Sequence, residues 1–144
     1  MNILITGATG FIGSHLTKEL CKQGYHCRCL VRNINKAKEI FKDYEDIEFV
    51  AGYHRKPETI QGITKEVDYV IHLAVLGHSD EAKLTFNDYK TVNVIGTKNL
   101  LNEITANPVK RILCFSSSAA VGLVKSKNIT ENTVCNPQTP YGTS

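Results

Sequence analysis

Apolar and polar positions alternate in blocks along this chain. "NILIT" at residues 2–6 is a short apolar run bounded by polar and glycine residues, the pattern of a strand covered on both faces. Four more such runs follow: "HCRCLV", "IEFVA", "DYVIHLA" and "RILCFSS". Helical patterns lie between them. From Phe11 to about Lys22, Ile12, Leu16 and Leu20 recur at i, i+4 and i+8, which predicts one buried stripe, and Gly24 stops the helix. A polar helix is predicted over about Asn35–Phe41, and a short one runs from Pro57 to near Lys65. A long helix follows over about Asp88–Thr105, with Val92, Ile95, Leu100 and Ile104 among its apolar positions. Strands alternating with helices predict an α/β fold with a parallel sheet covered on both sides. Right-handed crossovers make it doubly wound, in strand order 3-2-1-4-5. After Ser118 the periodicity ends. "VGLVKSKNITENTVCNPQTP" reads as a long loop, which in a compact domain usually carries function.

The first strand-to-helix junction carries candidate chemistry. Glycines at 7, 10 and 13 in "ITGATGFIGSHL" follow a predicted strand and open a predicted helix. Gly7 suits a sharp turn, Gly10 leaves the backbone open to a diphosphate, and Gly13 lets helix and sheet pack closely. The amides near Phe11 and Ile12, with Thr9 in the turn, then form an anion site on the helix dipole. The alternative, a tight turn with no ligand, is weaker because all three glycines stand in the required context.

The tip of the second strand sets the kind of nucleotide. An acid there would bond both ribose hydroxyls of NAD. "CLVRN" has none and places Arg32 at the tip, where a guanidinium would pair with a 2′-phosphate, Lys36 adding charge. NADP is therefore expected over NAD, against the plainer reading of Arg32 as a solvated surface residue. Leu73 and Ala74, at the end of the fourth strand, are expected to line the cofactor ribose. The serines of "CFSSSAAVG" close the fifth strand at the carboxyl edge, where ligands bind in such sheets. With no G-x-S-x-G elbow, they do not read as a hydrolase nucleophile.

Charge and composition narrow the partners. Seventeen basic residues against 14 acidic ones leave +3, and no Lys/Arg run exceeds two residues, so a nucleic-acid partner is not expected. No apolar run approaches a membrane span, and "MNILIT" enters a strand with no signal-peptide pattern, so a cytoplasmic protein without membrane contact is expected. Five cysteines without CxxC spacing read as reduced thiols used as small apolar residues; no metal is expected. His72 reads as a satisfied core histidine and His15 as structural, whereas His54 and His78 lie in loops with no evident partner. Asp80 and Glu81 suit a helix start.

Together, "TGATGFIGSHL", "DYVIHLA", "VNVIGTKNLL", "FSSSAAVG" and "TPYGTS" resemble, in order and spacing, the extended short-chain dehydrogenase/reductases, and among them the NAD(P)-dependent epimerase/dehydratase group. The resemblance implies a Rossmann domain and a Ser–Tyr–Lys trio. By position, Ser118 matches the serine and Tyr141 the tyrosine. Asn93 matches an asparagine that holds the middle of the sheet and a water. A tyrosine alone is a poor base at neutral pH. A nearby ammonium and the charge of an oxidised nicotinamide favour its phenolate, so it can exchange a proton with a substrate hydroxyl while hydride moves. Ser118 would position that oxygen. The resemblance also implies that the "GHSD" loop borders the nicotinamide end of the crevice, and a homodimer built on the long helix and the one beginning at Tyr141.

The chain departs from that pattern. "AAVG" after Ser118 lacks an aromatic residue, and Gly52-Tyr53 stands where Gly-Asp is usual, leaving the backbone near Tyr53 to meet adenine. Thr139 and Pro140 read as the cap and first residue of a helix, yet the lysine would be residue 145 of a 144-residue chain. The expectation is a single incomplete domain over residues 1–144, cut before the sixth strand and the substrate-binding part, with little turnover of its own and no native-like dimer. The small-molecule substrate, a nucleotide sugar or another hydroxyl or keto compound, would be met by the full-length parent. The rival reading is a non-catalytic dinucleotide-binding module or redox sensor, which needs neither Tyr nor Lys.

Overall fold

The computed structural model describes residues 1–77, 84–123 and 128–144. Of the predicted "GHSD" border only Gly77 is described; His78 and the helix start at Asp80 and Glu81 lie outside the described residues.

The elements run β1 (Asn2–Thr6), α1 (Phe11–Lys22), β2 (His26–Val31), α2 (Ile34–Ile40), β3 (Ile47–Ala51), β4 (Tyr69–His72), α3 (Phe86–Tyr89), a π-helical turn (Lys90–Ile95), α4 (Gly96–Ala106), β5 (Arg111–Cys114) and α5 (Pro140–Thr143). The five strands form one parallel sheet in the order β3-β2-β1-β4-β5, as the pattern predicts. Central β1 pairs Ile3 with Cys27 on one side and with Tyr69 on the other.

Side chains alternate across the sheet and build two cores. Ile3, Ile5, Cys27, Cys29 and Val31 meet Ala37 and Phe41 of the α2 side, with Leu20 and Cys21 of α1 packed against them. Leu4, Leu30 and Val70 meet Ile60, Ile63, Val67 and Leu100 on the opposite face. Buried Cys27 and Cys29 serve as small apolar residues, and all five cysteines are free thiols.

Two helical stripes differ from the sequence pattern. In α1 the buried residues are Gly13 and Thr17, whereas Ile12 is exposed. The reason is contact distance: a Cβ on Gly13 would collide with the Gly7 carbonyl, so the side of the helix that lacks bulk presses on the sheet. In the long helix the buried positions are Tyr89, Val92, Gly96 and Leu100, and Ile95 is exposed. The ring of His54 occupies the space above Gly96 that any side chain there would need. Its Nε2 takes the Val92 carbonyl at 3.0 Å, in the middle of the π-helical turn. A side chain that inserts into the helical ladder is a standard cause of such a turn. His54, expected to be a loop histidine without partners, is instead a buried joint between the segment after β3 and this helix.

Candidate active site

The predicted glycine turn forms a bare ledge at the carboxyl end of β1. Gly7 has φ +74°, open to glycine at low cost, and a Cβ there would lie 2.6 Å from the Leu73 carbonyl carbon. The Gly10 amide donates to the Gly7 carbonyl at 3.0 Å and closes the turn. Gly10 then caps α1 with an extended backbone and no side-chain cap bond. The next intrahelical bond runs from the Ser14 amide to the Gly10 carbonyl, so the amides of Phe11, Ile12 and Gly13 carry the positive end of a 12-residue helix with no backbone acceptor among the described residues. Phe11 is 84% exposed, Ile12 half exposed, and half-buried Thr9 lies in the turn. His15 bonds back to the Phe11 carbonyl at 2.9 Å, a local structural role.

Beside this ledge, at the tip of β2, Arg32 lies exposed with its guanidinium carbon 5.8 Å from the centre of the Tyr53 ring. The main chain of Tyr53 is committed elsewhere. Its amide donates to the Thr59 hydroxyl at 2.9 Å, and its carbonyl accepts the Lys56 amide at 2.7 Å. The half-buried ring of Tyr53 is the part of this residue not engaged in these main-chain bonds.

Behind the ledge runs a buried polar chain. The Ala74 amide donates to Thr6 Oγ1 at 3.1 Å, and that hydroxyl lies 2.6 Å from His72 Nδ1. His72 Nε2 lies 2.9 Å from Thr97 Oγ1, whose hydroxyl donates to the Asn93 carbonyl at 2.5 Å. Thr97 spends its proton on Asn93, so His72 must donate from Nε2 and accept at Nδ1, as a neutral ring. Burial, with the neighbouring His54 ring 5.6 Å away, lowers its pKa to about 4. His72 is a satisfied core histidine that ties the ends of β1 and β4 to the helix; Thr6 and Thr97, which sequence reading missed, complete it.

Across the sheet a cavity of about 270 Å³ opens between the ends of β4 and β5. Leu73, Ala74, Asn93, Ser116, Ser117 and Tyr141 are among the residues that line it. Asn93 grips the β4 exit loop at both main-chain groups of Leu76, accepting its amide at 2.7 Å and donating to its carbonyl at 3.2 Å. It also donates to Ser144 Oγ at 2.8 Å. This joins the loop, the π-helical turn and α5. Thr139 caps α5, its hydroxyl accepting the Gly142 amide, and the Tyr141 ring packs 6.1 Å from that of buried Tyr89. Ser117 caps the short 3₁₀ turn Ser118–Ala120. Ser118 opens that turn, exposed, next to the cavity lining rather than within it.

A parallel sheet in order 3-2-1-4-5, with a glycine ledge after its central strand and a crevice beside it, defines a dinucleotide-binding α/β domain. The model of the NAD dependent epimerase/dehydratase family matches residues 3–144, and the chain belongs to that family. It is 32% identical over 150 residues to a UDP-glucose 4-epimerase of Lactobacillus helveticus, covering 99% of this chain and 43% of that protein. To a UDP-glucose 4-epimerase of Halalkalibacterium halodurans it is 33% identical over 144 residues, covering 99% of this chain and 42% of the relative. Among solved structures, a dTDP-glucose 4,6-dehydratase from Streptomyces venezuelae, with NAD and TYD bound, superposes with a TM-score of 0.87 at 26% identity. That match covers 99% of this chain and 48% of the other. A Bifidobacterium longum UDP-glucose 4-epimerase, in complex with NAD+ and UDP, gives 0.88 at 26% identity, covering 99% and 45%. The chain thus spans less than half the length of these relatives.

Proposed function

We propose that these residues are the cofactor-binding part of an oxidoreductase that moves hydride between NADP, in preference to NAD, and a hydroxyl- or keto-bearing carbon of a small substrate. Nucleotide sugars are the first substrate class to test, because relatives are named for acting on them. The observation that carries the reading is the ledge at Gly7, Gly10 and Gly13, where the amides of the helix start take no backbone acceptor among the described residues.

The dinucleotide, when bound, supplies the hydride acceptor or donor. The amides of Phe11 and Ile12 hold its diphosphate, Arg32 a 2′-phosphate, and Leu73 and Ala74 the ribose beyond. Tyr141, at the cavity between β4 and β5, exchanges a proton with the substrate oxygen, and Ser118 meets that oxygen from the rim. The preference for NADP rests on Arg32 standing where an acid would select NAD.

Calorimetric titration tests the reading. The expected result is binding of both dinucleotides, NADP the tighter. Arg32→Ala should weaken NADP by about tenfold and NAD by less than about twofold. Equal effects on the two, or none, would overturn the preference. Gly10→Val should abolish both, and retained affinity would overturn the ledge as the site. A protein of these 144 residues alone is expected to bind without steady-state turnover; turnover would overturn that expectation.

A further inference from the structure

The strongest unassigned feature is a second arginine at the adenosine end. Arg55 lies exposed on the segment after β3, with its guanidinium carbon 4.4 Å from the centre of the Tyr53 ring, closer than that of Arg32. Val31 of β2 pairs with Ala51 of β3, so both arginines leave neighbouring strands at the carboxyl edge, the same edge as the glycine ledge. The Tyr53 main chain is held by the Thr59 hydroxyl, and the half-buried residue turns its ring towards both guanidinium groups. Two guanidinium groups therefore converge on one aromatic ring.

Among the described residues, neither arginine has a carboxylate in an ion pair; the cations that do are Arg28, Lys110 and, when protonated, His26. The two like charges repel; the aromatic contact and the attraction between Arg55 and the Asp88 carboxylate, which forms no ion pair with it, offset part of that. The field is felt locally: burial lowers the His54 pKa, its bond to Val92 opposes this, and Arg32 and Arg55 lower it further. Such a pair suits a compact dianion that both forks can reach, which a phosphate monoester is.

We infer that Arg55 is a second specificity-determining residue for a 2′-phosphorylated adenosine, the Tyr53 ring holding its guanidinium and that of Arg32 around one phosphate. The inference rests on the preference for NADP proposed above. Tyr53 then has a purpose in place of the acid usual at this position: an acid would neutralise the pair, whereas an uncharged ring supports it.

The probes are adenosine 2′,5′-bisphosphate and ADP, which share the adenosine and differ in the 2′-phosphate, titrated into the 144-residue chain at low and moderate salt. The expected wild-type result is a bisphosphate affinity at least about tenfold above that for ADP, steeply reduced by salt. Arg55→Ala should cut bisphosphate affinity by about tenfold and leave ADP within about twofold, with Arg55→Lys in between, since a lysine keeps the charge but not the fork. Both side chains are exposed, so circular dichroism should show the variants folded. If Arg55→Ala leaves the bisphosphate-to-ADP ratio unchanged while Arg32→Ala collapses it, the inference is overturned and the preference for NADP stands. A wild-type ratio near one overturns both.

Discussion

The two sides of the crevice are built differently. On the β1–β2 side the ledge is main chain, set by glycines whose missing side chains touch other backbone, over strands that are buried throughout β1 beyond Asn2. On the β4–β5 side the candidate chemistry is side chain. Ser118 and Tyr141 sit on one-turn elements, and β5 is the edge strand, with Leu113 about half exposed and Phe115, just beyond its end, likewise. The first side has few ways to deform, because moving it means breaking backbone packing. The second is held by individual hydrogen bonds, chiefly the grip of Asn93 on Leu76 and Ser144. The side proposed to hold the dinucleotide is thus packed main chain, and the side proposed to meet substrate is joined by polar clamps.

The largest expected effect breaks the rigid side. Gly13→Val drives a side chain into the Gly7 carbonyl and the Ala8 backbone, which cannot yield as a flexible side chain would. The expected cost is about 3 kcal/mol or more, read by urea unfolding, with loss of dinucleotide binding in whatever still folds. A stable, binding-competent Gly13→Val would remove the contrast between the two sides.

The next effect joins the sides through His72. Its folded pKa, near 4, is below the ordinary value of 6.5, so the unfolded chain takes up the proton first as pH falls. The stability from the neutral ring is present above about pH 6.5 and is lost between there and about pH 4, on the order of 3 kcal/mol. His54 is shifted in the same direction and adds to the loss. Unfolding free energy measured against pH should fall across that window, and His72→Gln should flatten the fall. An unchanged slope in the variant would show that the buried chain does not carry it.

The smallest effect separates the sides. Asn93→Ala removes the clamp and should cost about 1–2 kcal/mol, with α5 and the β4 exit loop gaining amide exchange while β1 and β2 keep theirs. Uniform exchange throughout the chain would mean that the two sides are one cooperative unit.

The sheet order, all five strands and the bounds of α1 were legible because apolar runs and glycine punctuation are local signals. The same holds for Gly7, Gly10 and Gly13, where each residue type has one backbone role. Places where a residue's role depends on a distant partner were not legible. Ile12 and Ile95 lie outside the buried stripes because Gly7 and His54, from other segments, decide which helix face comes close. Nothing around His54 or Arg55 in the sequence marks the first as a helix joint or the second as stacked on Tyr53; "YHRK" reads as an ordinary basic loop. Thr6 and Thr97 are unremarkable until the fold brings them to His72 from either side.

By itself the sequence determined the parallel order, the ledge, the basic tip of β2 and the family, since periodicity, glycine spacing and a few motif segments act over short stretches of chain. The tertiary structure alone decided which face each helix buries, that His72 is neutral, that the Tyr53 main chain is occupied, and that two arginines share its ring. Those outcomes depend on contacts between residues far apart in the chain, and such distances exist only once the backbone has closed around them.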